Sequence, residues 1–259
     1  MIRTLLIITG AGLILCTVAG AGALALGGRD MARNGWAWTI NDHDGDSVRF
    51  ERVYNGERET RITRTLAWTG GDRLQVEVPG DVVYVQGPEA GVTVEGPKSL
   101  AERVRVIDGR LTMSDGSREE RVAFNWTRDG LHAWSSNDEL RITVTAPAVK
   151  RFDIRGSSDV SIRAYDQPTL NIQVSGSSSI DVAGRATTAD LDISGSGDLD
   201  LEAVELRDAS VDVSGSGDVR VGPTQAAVID ISGSGDVTLT RRPARLEQDI
   251  SGSGDVDVE

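Results

Sequence analysis

Two sets of aspartates are the residues in this chain whose type and spacing could do chemistry. One is Asp159, Asp198, Asp218, Asp236 and Asp255; the other is Asp192, Asp212, Asp230 and Asp249. Carboxylates stacked at strand spacing repel by roughly 1 kcal/mol even in water. A calcium ion between them would relieve that, as in nonapeptide solenoids with a GGxGxD pattern. Those repeats turn about every nine residues, whereas here one turn comes per 18 to 20 residues. Aspartate also suits a turn for its own reason, because its carboxylate accepts hydrogen bonds from nearby backbone N–H groups. Turn and surface aspartates are therefore the favoured reading over metal ligands. No metal, cofactor or catalytic residue is expected.

Other candidates are weaker. Ser194, Ser214, Ser232 and Ser251 are possible nucleophiles, but activation needs a base. The two histidines, His43 and His132, both lie outside the repeats. A hydroxyl ladder is the better reading. A carboxylate pair for sugar hydrolysis is always available among so many acids, yet sugar grooves usually stack aromatics. All five tryptophans (Trp36, Trp38, Trp68, Trp126 and Trp134) precede the repeats. Asp42, Asp44 and Asp46 fail as an EF-hand, because Ser47 stands where glycine is needed and Val53 where the bidentate glutamate is needed. The chain is not expected to be an enzyme.

The elements that must position the aspartates are legible. SGSGD stands at 194–198, 214–218, 232–236 and 251–255, with variant copies RGSSD at 155–159 and SGSSS at 175–179. A fixed period near 19 marks a stacked repeat, one solenoid turn per unit. Around each copy, β-branched and leucine residues alternate with polar ones, as in Leu191, Ile193, Leu199 and Leu201. That is the pattern of strands with one buried face. The glycines are expected to supply positive φ at a sharp corner. The opposite side of each rung, at 204–208, 222–227 and 241–246, reads as irregular, with Pro168, Pro223 and Pro243 on that side. A parallel β-helix is favoured over an antiparallel sandwich, which would not keep one turn chemistry in phase six times.

Residues 4–28 are apolar and uncharged after Arg3, long enough as a helix to span about 30 Å of hydrocarbon. They read as a signal peptide or a membrane anchor, with small-residue cleavage sites near Ala23 and Ala25. Cys16, the only cysteine, lies inside this segment and reads as an apolar membrane residue, so no disulfide framework is expected. The division that follows is 1–28 signal or anchor, 29–70 connector, and 71–259 β-helix with its regular rungs at 151–259. Trp36 and Trp38 suit a bilayer interface or packing on the first rungs equally well. Strands are predicted at 74–78, 82–85, 92–95 and 104–107, as less regular turns closing the N-terminal end; a hairpin or excursion is predicted at 114–138, and strand character resumes at 141–145. The formal charge is −13, and 9 Arg against 20 Asp or Glu in 151–259 put −11 of it in the repeats. An acidic surface repels nucleic acid and anionic lipid and tolerates cations or basic partners. Weak self-association through the open strand edge at 249–259 is also expected.

The SGSGD turns, VTVEGPKSLAERVRVIDGRLTM at 92–113 and RITVTAPAVKRFDIRGSSDVSI at 141–162 together resemble the GIN-domain family, the adhesin-head proteins of autotransporter type in bacteria. The likeness covers about 72–259. It implies a right-handed β-helix and carries no catalytic residues over. Autotransporters carry a C-terminal membrane barrel, whereas this chain ends at Glu259 in mid-rung, so if it reaches the cell surface another route is expected. The expected function is a non-catalytic, acidic, extracytoplasmic β-helix for adhesion, scaffolding or envelope interaction, bound to the membrane if the N-terminal segment is uncleaved. Its ligand would be a protein or a glycan. A calcium-stabilised solenoid is the alternative, and a polysaccharide-acting enzyme comes third.

Overall fold

The computed structural model describes residues 37–41, 47–52, 60–114, 119–127, 130–135 and 140–259, with side chains described in 60–114 and 140–259. The apolar helix expected at 1–28, Trp36, and the acidic cluster Asp42, Asp44 and Asp46 fall outside the described residues. Among the described residues, no helix is long and apolar enough to cross a membrane. The chain divides into two compact units, Met1–Glu57 with Ser117–Ser135, and Arg58–Gly116 with Ser136–Glu259.

The first unit holds one four-stranded sheet. Strands β1 (Ala37–Asn41) and β2 (Ser47–Arg52) form an antiparallel pair, and β9 (Glu119–Thr127) and β10 (Gly130–Ser135) form the expected hairpin. β2 joins β9 in parallel, so the sheet order is β1-β2-β9-β10.

The second unit is a β-solenoid with two faces. The first face stacks, in order, β3 (Arg61–Leu66), β6 (Gly91–Pro97), β11 (Arg141–Ala146), β5 (Gly80–Gln86) and β13 (Ser158–Asp166). It continues through the first halves of β15 (Ser179–Ile193) and β16 (Asp198–Val213), then β17 (Val219–Val221), β19 (Val237–Leu239) and β21 (Val256–Val258). The second face stacks β7 (Val104–Ile107), β8 (Arg110–Met113), β4 (Arg73–Val76), β12 (Arg151–Gly156) and β14 (Thr169–Gly176). The later halves of β15 and β16, then β18 (Pro223–Ile231) and β20 (Arg245–Ile250), complete it. From β11 onward on the first face and β8 onward on the second, every pairing is parallel. Alternation puts one side chain in two inside: Leu191, Ile193, Leu199, Leu201, Val211 and Val213 are at most 1% exposed. Since neither strand of a single rung can bury its apolar side alone, stacking is what closes the core.

Two expectations need correction. The glycines of the regular SGSGD turns are not in the left-handed region; among the described glycines only Gly80, Gly109, Gly156, Gly176 and Gly184 have positive φ. Residues 204–208 and 223–227 are not irregular but stay in extended strands, because the chain turns that corner through register shifts in the ladder, between Asp181 and Ala183 and between Leu206 and Asp208. Pro168 and Pro243 do lie between strands, while Pro223 opens β18, a first position where no N–H is missed. The N-terminal turns are indeed less regular, and they are not stacked in chain order. β11 lies between β5 and β6, and β12 between β4 and β14, so the β4–β5 rung is enclosed by segments that follow it in sequence.

Antiparallel strands close that end of the solenoid. β3 and β6 finish one face, and the hairpin β7–β8 finishes the other around Asp108-Gly109, at φ of 49° and 79°. Both central residues with positive φ make a hairpin turn whose twist matches the strands. A four-residue helix, α1 (Lys98–Ala101), buries Leu100 and Ala101 nearby. Within the rungs behind it, Phe152 meets Tyr84 and Tyr165 edge-on, with centroids 5.1 and 6.0 Å apart. The two phenols donate to the carbonyls of Ala146 and Thr169 at 2.8 and 2.5 Å. Burial pushes both phenols above their ordinary ionisation range.

Candidate binding surface

The solenoid turns the period of the sequence into two columns of carboxylates. Along the turn edge the column is a hydrogen-bond ladder. Asp218 N–H donates to Asp198 Oδ1 (3.3 Å), Asp236 N–H to Asp218 Oδ1 (3.0 Å), and Asp255 N–H to Asp236 Oδ1 (2.9 Å). Each carboxylate thus satisfies a backbone donor of the next rung. Asp159 does not join this ladder, because Ser179 stands between it and Asp198 in the register. The serines behave similarly: Ser194 and Ser214 hydroxyls reach the carbonyls of Val174 and Ile193 one rung back, at 3.3 and 3.5 Å. In the variant turns a buried serine replaces the second glycine. Ser158 Oγ donates to Val78 O at 2.5 Å, and Ser178 Oγ to Gly156 O at 3.2 Å.

Asp218→Ala is expected to destabilise the chain by about 1 kcal/mol, the usual net worth of one such bond. Asp218→Asn should be near neutral, since its amide oxygen still accepts. Urea midpoints of the two variants check this; equal midpoints would mean that the carboxylate does not hold the turn.

The second column lies on the second face, where Asp192, Asp212, Asp230 and Asp249 are in direct register. All four are exposed. Burial, then the charges of Asp212 and Asp190, hold the Asp192 carboxyl above its ordinary range. Toward the N-terminal end the same column continues as Gln173, Asp153 and Gln75. There it is neutralised by arginine: Arg73 pairs with the buried Asp153, Arg151 with Asp72 at 2.8 Å, and Arg110 and Arg155 with Glu77 at 3.8 and 3.6 Å. The Arg151 guanidinium holds Asp72 below the usual carboxylate range. The second face therefore has its column ion-paired at one end and a run of four aspartates at the other, where the pairs Arg207–Asp208 (3.6 Å) and Arg245–Glu247 (2.7 Å) lie beside the column. That division follows from the register of 73–77 against 151–155, which a search for the SGSGD period alone passes over.

One further feature was not legible in the pattern. A shallow groove of about 560 Å³ on the first face is lined by Ser161, Arg163, Asp181, Asp200 and Glu202. It coincides with the shift in register at Ile162/Tyr165 and with Ala164 at φ 52°. Asp200 Oδ1 there accepts the Glu202 N–H at 2.8 Å. Among the described residues, no group of three or more His, Cys, Asp or Glu side chains is placed to hold a metal ion. Of the two histidines, His132 is placed by its backbone in β10, opposite Asn125, and His43 lies outside the described residues.

Fold and surface define a class: a largely parallel β-solenoid whose two faces are patterned at the spacing of its rungs. Within that class, the chain belongs to the family described as "Putative auto-transporter adhesin, head GIN domain", whose model matches residues 72–243. Among solved structures it is similar to a "putative adhesin" from Bacteroides fragilis NCTC 9343, with TM-score 0.61 and 16% identity, covering 78% of this chain and 98% of that one. It is also similar to a "putative adhesin" from Parabacteroides merdae ATCC 43184, with TM-score 0.46 and 14% identity, covering 81% and 99%. No curated protein matches the chain.

Proposed function

We propose that this protein is a non-catalytic surface-presenting module of the cell envelope, working outside the cytoplasm in adhesion or scaffolding and tethered to a membrane by residues 4–28. Family membership supports the adhesin-like part of this reading. The observation that carries it is the in-register row Asp192, Asp212, Asp230 and Asp249. Among the described residues none of these four is in an ion pair. A backbone ladder holds the row rigid, so a partner meets it without the entropy cost of ordering a loop. Its chemistry suits a basic protein surface or a polyhydroxyl glycan with bound cations.

The test immobilises the full chain and, beside it, a variant with all four aspartates changed to Asn. Both are presented with purified envelope polysaccharides and Lys-rich or Arg-rich peptides. Retention by the parent that falls at least tenfold in the variant supports the reading; equal retention, or none, defeats it. The calcium-stabilised solenoid is the second reading, favoured by the stacked carboxylates. It predicts that a saturating calcium concentration, a hundredfold above the dissociation constant, adds about 2.7 kcal/mol of stability. Coincident melts in calcium and in chelator would remove it.

A further inference from the structure

The four-stranded sheet of the first unit has a face the function above does not use. Register places Trp38, Phe50 and Val122 in one row across β1, β2 and β9. Phe124, Trp126 and Leu131 stand on the same face, since Leu131 pairs with Trp126 and residues two apart along a strand share a face. The opposite face carries the row Thr39, Arg49 and Arg121, and the pairs Asn41–Ser47 and Asn125–His132. So one face of a single sheet is mainly aromatic and aliphatic, with Arg52 and Glu120 near the ends of their strands, while the other is largely polar but includes Ala123 and Trp134. β1 begins only eight residues (29–36) after the apolar segment 4–28. Eight residues reach at most about 29 Å when fully extended.

We propose that the aromatic face of this sheet is a membrane-interface platform, seated on the lipid surface into which residues 4–28 insert. The inference rests on the tether proposed above. Two independent observations meet in it: an apolar sheet face in register, and a membrane-length apolar segment within a short reach of it. Tryptophan and other aromatic rings favour the boundary between headgroups and hydrocarbon, where an amphipathic body meets both phases. The occupant is thus lipid, not a protein groove. The path of the chain adds a consequence. Other rungs of the solenoid cross from the second face to the first by a short turn, such as 194–197, whereas the crossing from β8 to β11 takes residues 114–140. That crossing supplies β9 and β10, half of the platform. The sheet therefore ties the solenoid covalently to the interface at a rung as well as through the N-terminal connector.

The test uses the full chain reconstituted with vesicles of phosphatidylethanolamine and phosphatidylglycerol, with and without a brominated lipid that quenches tryptophan at the interface. The chain should float with the vesicles, and its emission should be quenched by the brominated lipid. In a W38F/W126F variant, which keeps the face apolar, more than half of that quenching should disappear. W36F and W134F should retain most of it, Trp134 being in register with Ala123 on the opposite face. Far-ultraviolet circular dichroism of each variant checks that the strands persist. Quenching that survives in W38F/W126F, or that is lost in W36F alone, overturns the platform while leaving the tether standing. A chain that does not float overturns both, and would mean that the aromatic face is covered within the protein.

Discussion

Gly215→Ala is expected to lower the stability of the solenoid by about 3 kcal/mol, at the upper end of what overpacking costs. A Cβ on Gly215 would run into the carbonyl oxygen of Gly195 one rung back, and would stand 2.9 Å from that residue's carbonyl carbon and nitrogen. The obstacle is backbone, so no rotamer change relieves it. The same encounter recurs at Gly233 against Gly215 and at Gly252 against Gly233. Two controls separate this cause from the ordinary one. Gly156 sits at φ +99° with open space around its Cβ position; Gly156→Ala should cost only the conformational strain of about 1 to 2 kcal/mol. Gly91 has neither obstacle nor positive φ, so Gly91→Ala should stay within about 0.5 kcal/mol of the parent. Urea midpoints of the three variants decide it. If Gly215→Ala and Gly91→Ala unfold together, the turns are not in the close stacking described.

Phe152→Ala should have an equal or larger effect, about 3 to 5 kcal/mol. Phe152 is 1% exposed and is the centre of the cluster with Tyr84 and Tyr165. Its strand β12 pairs with β4 on one side and β14 on the other, so it stands where the irregular rungs meet the regular ones. A cavity there cannot be filled by sliding one strand, because each neighbour is fixed by its own ladder on both sides. Phe152→Leu, which keeps most of the volume, should cost less than half as much. A solenoid is a sum of rungs and interfaces, so the loss should appear first as early unfolding of residues 60–114 and 140–156. Hydrogen exchange on the Phe152→Ala chain reads this directly: faster exchange in β4, β5 and β12 with β18 to β21 unchanged. Uniform acceleration along the chain would mean that the solenoid unfolds as one unit and that Phe152 is not a local keystone.

Much of the solenoid was legible before its structure, and the reason is periodicity. Leu191, Ile193, Leu199 and Leu201 alternate with polar residues and return every 18 to 20 positions; a period that long with strand alternation inside it leaves stacking as the way to close a core. The exposed aspartates followed from the same alternation. Where the period fails, reading along the chain fails with it. The order of β5, β11 and β6 depends on pairings between residues 46 to 60 positions apart, which no local pattern encodes. The groove beside Arg163 and Glu202 depends on a bulge, and a bulge of one residue leaves hydrophobic alternation almost intact on either side.

By itself, the sequence determined that this is a stacked β-protein, that its turns are SGSGD, and that its repeats are strongly acidic, because those are matters of residue type, alternation and count. Tertiary structure alone decided why the glycines are glycine and what the turn aspartates hold: the oxygen that a Cβ would meet and the N–H that a carboxylate accepts both belong to the neighbouring rung. Tertiary structure also decided that Asp153 lies beside Arg73, and that the hairpin β9–β10 joins the strands next to the apolar segment. Such contacts join residues some 70 to 80 positions apart, and their free energy comes from closing a long loop on a particular partner. Composition and spacing do not specify that choice; the packed backbone does.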